Sequence, residues 1–411
     1  MWKRWANVIL LSSACSGLCL SALANTTAPL AAPPVTAPVM RMAQNDLALP
    51  PADAFPANAS PAAAAARVSH ISRIALLLPL HSDTLAEAAT AVRAGFMAAH
   101  EREPDGIEIS VVETGDAPQD ILAGYAAAAA QVDIVVGPLS RTGVAAVAQS
   151  HASDKPTIAL TPPDSQDGEE VALPPQMVVM GLSIENEARQ AATWAGASGT
   201  WGKAYVLHTP AAWQRRAARA FETQWRQLGR EPEMLEIAAN DGFLNGRALL
   251  QLKKQIQGDK SVMVFAALDA RQARQVRAIL GNDIALYGTS QLNPFVRADA
   301  NDPARSVEMN GARLLDIPWL LQPDHPAVMV YPRHVVDADQ KPSADLERLY
   351  ALGIDAYRVA HEIASQNRDF QIDGVTGKLK VHFDKTNVQF ERIAQPAVYH
   401  DGLVVSEDGA R

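Results

Sequence analysis

At 411 residues the chain is too long for one small module and suits one or two sizeable α/β lobes. Its 48% hydrophobic and 20% charged residues exclude wholesale disorder and collagen-like or coiled-coil architectures. A formal charge of −9, from 36 Lys+Arg against 45 Asp+Glu, argues against a sequence-wide grip on nucleic acid, which needs a basic footprint.

Lys3 and Arg4 precede an apolar stretch from Val8 to Leu20, and Ala22-Leu23-Ala24 supplies small residues at −3 and −1 of a cleavage site. This predicts a signal peptide over residues 1–24. A second cut lies before Cys15, where Leu11-Ser12-Ser13-Ala14-Cys15 has the form of a lipoprotein box with Ser12 at a position where Leu is usual. Cleavage there would lipidate Cys15 and tether the chain; cleavage after Ala24 would release it, and both remain open. The two cysteines, Cys15 and Cys19, both fall in this leader, so the rest of the chain carries no disulfide, thiolate nucleophile or cysteine metal site. No later segment reaches the ~18 uninterrupted apolar residues of a spanning helix.

In residues 25–66, eight Pro and fifteen Ala fill 23 of 42 positions, a composition that predicts a disordered linker. Residues 67–411 form the expected folded domain. Ile71 to Leu80 reads as a strand, and Leu85, Ala88, Ala89, Val92, Phe96 and Ala99 follow at helical spacing. The alternation continues through a strand at Ile107 to Glu113, a helix at Asp120 to Gln131, strands at Val132 to Val136 and Thr157 to Leu160, and a helix between them at Val144 to His151. A second cycle runs through Glu185 to Ala195, Lys203 to His208, Trp213 to Leu228, Met234 to Ile237, Gly246 to Gln257, Ser261 to Ala267, Ala270 to Leu280 and Ile284 to Tyr287. On the second helix of this series, Trp213 to Leu228, Ala217, Phe221, Trp225 and Leu228 share one side. Asp345 to Ala364 is helical with an apolar stripe of Leu346, Leu349, Leu352, Ala356, Val359 and Ile363, and from Gly374 onward the pattern alternates as β ribbons do. Continuous apolar strands interleaved with amphipathic helices predict two doubly wound, mostly parallel sheets.

In such sheets ligands sit beyond the carboxyl ends of the strands. The loops there nominate His81, Ser82, Thr114, Asp116, Ser140, Arg141, Thr142, Thr161, Thr209, Leu268 and Ser290 as cleft or ligand contacts. For Ser140, Thr142 and Asp269 helix capping is the competing role, because Ser, Thr and Asp are favoured at N-caps for that reason alone. Phosphate loops, G-x-G-x-x-G turns after a strand, G-x-S-x-G elbows and H-E-x-x-H pairs are all missing. The expectation is therefore no catalytic residue, no metal site and no cofactor, and His325, His334 and His361 read as solvated or capping.

Seven strings then matter more than the pattern: RIALLLPLHSDTLAEAATAVRAGFMAAHE from Arg73, DIVVGPLSRTGVAAVA from Asp133, GLSIENEARQAA from Gly181, ALYGTSQLNP from Ala285, LLDIPWLL from Leu314, LYALGIDAYRVA from Leu349 and GVTGKLKV from Gly374. In this order they resemble the LppC/LpoA family of bacterial outer-membrane lipoproteins, which activate class A penicillin-binding proteins. The match covers about residues 71 to 405. The resemblance implies a two-lobed, type I periplasmic-binding-protein-like (Venus flytrap) α/β fold. Lobe 1 would comprise about 71–180 and 322–372, lobe 2 about 181–321 and 373–411, with hinge motion about Gly181, Ser183, Asp316 and Pro318. It further implies a periplasmic, non-enzymatic partner of a peptidoglycan synthase, touching membrane only through a lipid on Cys15. Longer members carry an N-terminal helical-repeat domain where this sequence has its Ala/Pro linker. The alternative reading is a receptor for an amino acid or amide in a transport system, its unknown small molecule held in the cleft.

Overall fold

The computed structural model describes residues 71–104, 106–150, 155–164, 171–296, 305–334, 343–384 and 387–407. The described residues belong to one compact unit, 66–411. The expected leader with Cys15 and the Ala/Pro-rich stretch lie outside the described residues.

The first apolar run becomes β1 (Ser72–Leu78), followed by α1 (Ala86–Arg102), β2 (Ile107–Glu113), α2 (Pro118–Ala129), β3 (Ile134–Val136), α3 (Arg141–Gln149), β4 (Thr157–Ala159) and β5 (Met177–Val179). The strands form a fully parallel sheet in the order β2-β1-β3-β4-β5. Side chains on both faces of β1 are buried, which is why the run is continuously apolar rather than alternating. The short β5 falls outside the expected elements.

The chain crosses into a second lobe with α4 (Ile184–Ser198), β6 (Lys203–His208), α5 (Ala212–Gln227), β7 (Pro232–Glu236), the short hairpin β8 (Ala239–Asn240) and β9 (Phe243–Leu244), α6 (Gly246–Ile256), β10 (Val262–Ala266), α7 (Ala270–Leu280), β11 (Ala285–Gly288) and β12 (Arg313–Asp316). Phe221 stacks on Phe265 and Trp225 inside this lobe, whereas Leu228, expected on the same stripe, lies past the helix end and is exposed.

The return path is α8 (Pro318–Leu321), α9 (Pro326–Met329), α10 (Ala344–Ala364), β13 (Asp369–Gly374), β14 (Gly377–Phe383), β15 (Val388–Ile393), β16 (Gln395–His400) and β17 (Leu403–Ser406). Strand β16 adds antiparallel to β12 and β17 antiparallel to β16, completing a seven-stranded sheet in the order β17-β16-β12-β11-β10-β6-β7. Strands β13, β14 and β15 form a separate antiparallel sheet. The expected lobe boundary between 372 and 373 falls inside that sheet. Ile372, Val375, Leu379, Val381 and Phe383 all enter the core shared by β1, α1 and α10, so this ribbon packs with the first lobe. The second lobe resumes at Ala394, which joins the core of α4 and α5.

Helices α1 and α10 cross at their glycines. A Cβ on Gly95 would lie 1.9 Å from the Tyr350 carbonyl oxygen, and one on Gly353 would lie 2.1 Å from that of Val92. Only hydrogen on each Cα allows this approach. Helix α10 is consequently buried on most sides: Glu347 and Arg348 are buried, while Leu346 and Leu349 of the expected stripe keep partial exposure. Packing on two fronts, α1 and the interlobe junction, overrides the single apolar stripe.

Candidate functional site

The strand ends that face the interlobe cleft carry most of the residues the sequence nominates, and their polar groups are engaged within the protein. Ser82 is buried; its Oγ donates to Asp116 Oδ2 at 2.8 Å and accepts the amides of Thr84 and Leu85. Thr114 donates to the Leu78 carbonyl at 3.4 Å, and His81 reaches Glu113 from solvent at 3.0 Å. Ser140 caps α3 by accepting the Gly143 amide at 3.1 Å, whereas Thr142 is exposed in the first turn. Asp269 caps α7 in a reciprocal box with Gln272. Thr161 backs onto Gly181, where a Cβ would lie 2.4 Å from the Thr161 Cα.

In the second lobe, Thr209 accepts the Ala211 amide while its own amide donates to Gln214, whose Nε2 donates to Gln272 Oε1 at 2.7 Å. Leu268, nominated as a cleft contact, is fully buried in the second-lobe core. Ser290 presents its amide to Glu187 Oε2 at 2.8 Å and its carbonyl to Arg348 at 2.9 Å.

Arg141 is the nominated residue that reaches across. Its guanidinium donates to the Pro163 carbonyl at 3.2 Å and lies 3.8 Å from Glu185 on α4, while Arg216 on α5 donates to the same carboxylate at 2.7 Å. Burial pushes the Glu185 pKa up, but the Arg216 hydrogen bond and the two guanidinium charges outweigh it and hold it below the ordinary carboxylate value. A first-lobe arginine therefore meets a second-lobe carboxylate across the lobe boundary.

Behind this bridge the crossovers are pinned by buried charge. Arg348 on α10 donates to both oxygens of Asp316 at 2.9 and 2.7 Å, to Asp345 at 2.7 Å, and to the carbonyls of Ser290 and Asn293. Asn293 donates to Asp316 Oδ2 in turn. Arg392 donates to the carbonyls of Met180 and Gly181 at 2.6 and 2.8 Å and to Thr376 Oγ1. Desolvation pushes its pKa down to about 10, so it stays charged at neutral pH. Asp355 accepts the amides of Val375 and Thr376 and the Thr376 hydroxyl, fixing the β13–β14 turn on α10. Glu187 retains some solvent contact as a residue, yet its carboxylate is enclosed; burial raises its pKa to about 7 against the pull of the Ser290 amide. Of the expected hinge residues, Ser183 caps α4, Gly181 receives Arg392, Asp316 receives Arg348, and Pro318 opens α8.

Trp319 donates to Glu347 at 2.6 Å, and Tyr350 stacks on His334. The His334 side chain is thus largely enclosed, only 9% exposed, in contrast to the solvated role expected of it, because α10 closes over it. His325 caps α9 through its Nδ1. Of the residues the sequence reading missed, Glu187 lies in ENEAR, Asp355 is the one charge in the otherwise apolar LGIDAY, and Arg348 directly precedes LYALGIDAYRVA, whereas Arg392 lies outside these strings and carried no signal. Cavities of about 550 Å³, over β13, β14 and β15, and about 460 Å³, beside α8, lie elsewhere, and no nominated cleft residue lines either. Among the described residues, no three His, Cys, Asp or Glu side chains could hold one metal ion, and no helix is long and apolar enough to cross a membrane.

A family model described as "LppC putative lipoprotein" matches residues 44–402. The chain belongs to the LppC family. Curated relatives include the penicillin-binding protein activator LpoA of Photobacterium profundum, 26% identical over an alignment of 349 positions that covers 76% of this chain and 54% of the relative. The LpoA of Vibrio cholerae is 28% identical over 348 aligned positions, covering 75% of this chain and 54% of that one. The chain thus spans about half the length of the curated relatives it matches.

Among solved structures, full-length LpoA from Haemophilus influenzae superposes with a TM-score of 0.63 at 24% identity, covering 82% of this chain and 59% of that one. At that identity the likeness shows the fold. A Chromobacterium violaceum structure described as "a putative branched-chain amino acid ABC transporter" has a TM-score of 0.62 and 34% identity, covering 80% of this chain and all of that one. These neighbours share the type I periplasmic-binding-protein-like fold, with two lobes and mostly parallel sheets. Some of the family strings reach the junction, through Asp316 in LLDIPWLL and Ser290 and Asn293 in ALYGTSQLNP, while Gly353 and Asp355 in LYALGIDAYRVA hold α10 to α1 and to the β13–β14 turn of the first lobe.

Proposed function

We propose that the chain is a non-catalytic envelope protein that binds a class A penicillin-binding protein and raises its peptidoglycan-synthesising activity. Its place would be the periplasmic side of the outer membrane, with lipidation of Cys15 as the tether. The observation that carries this reading is the self-satisfied cleft: the hydroxyls of Ser82, Thr114 and Ser140 and the amides around Thr209 and Ser290 bond within the protein. A receptor keeps such groups for its ligand, because displacing an internal bond gives back most of what a new one contributes. The names of the curated relatives give the partner class.

The test is a titration of the full chain against the immobilised periplasmic region of a class A enzyme from the same organism. Saturable binding supports the reading, and no binding removes it. The transporter-like name of the Chromobacterium structure favours a second reading, a receptor for an amino acid or amide. A ligand-dependent rise in Tm across an amino-acid panel would support it, since a ligand of the native state stabilises by RT ln(1 + [L]/Kd).

A further inference from the structure

The second lobe carries a small projection that neither the cleft nor the junction uses. Strands β8 and β9 are two residues each and pair antiparallel, Ala239 with Leu244 and Asn240 with Phe243. The turn residues Asp241 and Gly242 have φ of 50° and 79°, the left-handed pair that suits a two-residue hairpin. So short a hairpin is marginal by itself, and here Gln275 of α7 braces it on both sides. Its Oε1 accepts the Leu244 amide and its Nε2 donates to the Gly242 carbonyl, each at 2.9 Å. Leu244 anchors the base in the core.

The brace presents Phe243, which is 59% exposed, with the Arg271 guanidinium 4.4 Å from its ring centroid. Asn245 then caps α6, whose outer face continues the surface. Arg247, Leu250 and Lys254 stand at i, i+3 and i+7 on one helical face and are all exposed, Leu250 by 52%. A single exposed leucine calls for no explanation. A phenylalanine held rigid beneath a guanidinium, next to an Arg-Leu-Lys stripe, has the composition of an interface centre. Aromatic and arginine side chains dominate binding energy, and pre-organisation removes the ordering cost.

We propose that the β8–β9 hairpin and the outer face of α6 form a docking surface for a protein whose matching face is an apolar pocket with an acidic rim. Charge complementarity sets the rim: this face presents Arg247, Lys254 and Arg271 on a chain whose net charge is −9. Asp241, exposed at the apex beside Phe243, opposes insertion into an anionic lipid surface, because it would be driven among like charges. The occupant is therefore protein, and taking it to be the synthase rests on the function proposed above.

The experiment uses the full chain, Phe243→Ala, and the double variant Arg247→Glu with Lys254→Glu. Each is titrated against the immobilised periplasmic region of the class A enzyme and against vesicles of phosphatidylglycerol and phosphatidylethanolamine, with Tm recorded. Phe243 and the two cations are exposed, so unchanged Tm is expected. The expected result is at least a tenfold loss of enzyme affinity in each variant. Wild-type affinity in both variants overturns the docking surface and leaves the proposed function standing. Absence of wild-type binding to the enzyme removes both. Vesicle binding by the wild type that Phe243→Ala abolishes assigns the patch to membrane and overturns the proposal.

Discussion

Arg348 of the first lobe and Asp316 of the second form a two-point ion pair at 2.9 and 2.7 Å, with almost no solvent contact on either side chain. Burial by itself would lower the Arg348 pKa, but the Asp316 charge and hydrogen bonds more than offset it and the pKa is raised. Arg348→Ala leaves the Asp316 carboxylate buried without its counter-charge, with only the Asn293 side chain and the Ile317 amide as donors. The expected cost is about 3–5 kcal/mol of unfolding free energy, read as a lower urea midpoint. Asp316→Ala should cost a similar amount, and the double variant less than the sum, because the two changes share one interaction.

Glu187 gives a pH dependence with a defined sign. Its folded pKa of about 7 lies above the ordinary 4.5, so the folded state binds a proton more tightly than the unfolded chain does. Stability should therefore fall as pH rises from about 4.5 to 7 and level off above that, by at most about 3 kcal/mol. Glu187→Gln removes this dependence. Urea midpoints at pH 5 and pH 8 check it: the wild type should lose more stability between them than the variant does.

The two crossing glycines make a steric prediction. Gly95→Ala and Gly353→Ala each force a methyl into a carbonyl at about 2 Å separation, which the helices relieve only by moving apart. Losses of about 1–3 kcal/mol or more are expected. Gly246→Ala, at the open start of α6 where a Cβ meets nothing within 4 Å, is the control and should be near neutral. Thermal unfolding separates the three.

How much of this was legible depended on element length. The long alternating elements were: β2, β6 and α7 occupy the expected positions. The short strands β5 and β12 were not, although the equally short β3, β4 and β11 were, because MVV and RLLD sit in loop-like stretches between longer elements with no alternation of their own. Reading Asp316 as hinge rather than strand end follows from that. The expected cleft residues were found at strand ends as the winding requires, but a side chain's partner is a tertiary fact. Nothing in the spacing of Ser82 and Asp116, 34 residues apart, shows that the one satisfies the other.

The bridge across the cleft supplies a conformational prediction. Glu185 receives Arg216 from its own lobe and faces Arg141 from the other, all partly solvated, so its removal should cost only about 1 kcal/mol or less. Glu185→Gln should nevertheless relax the mouth of the cleft, because the remaining cations repel. Solution scattering should show a larger radius of gyration in the variant than in the wild type. Identical profiles would assign interlobe spacing to the Arg348 and Arg392 pins alone.

As proposed above, the chain acts by contact on a peptidoglycan synthase. Glycan polymerisation and crosslinking by a purified class A penicillin-binding protein, followed from lipid-linked precursor with and without an equimolar amount of the full chain, test it most directly. The account predicts a faster rate with the chain present and no turnover by the chain alone. An unchanged rate would contradict it.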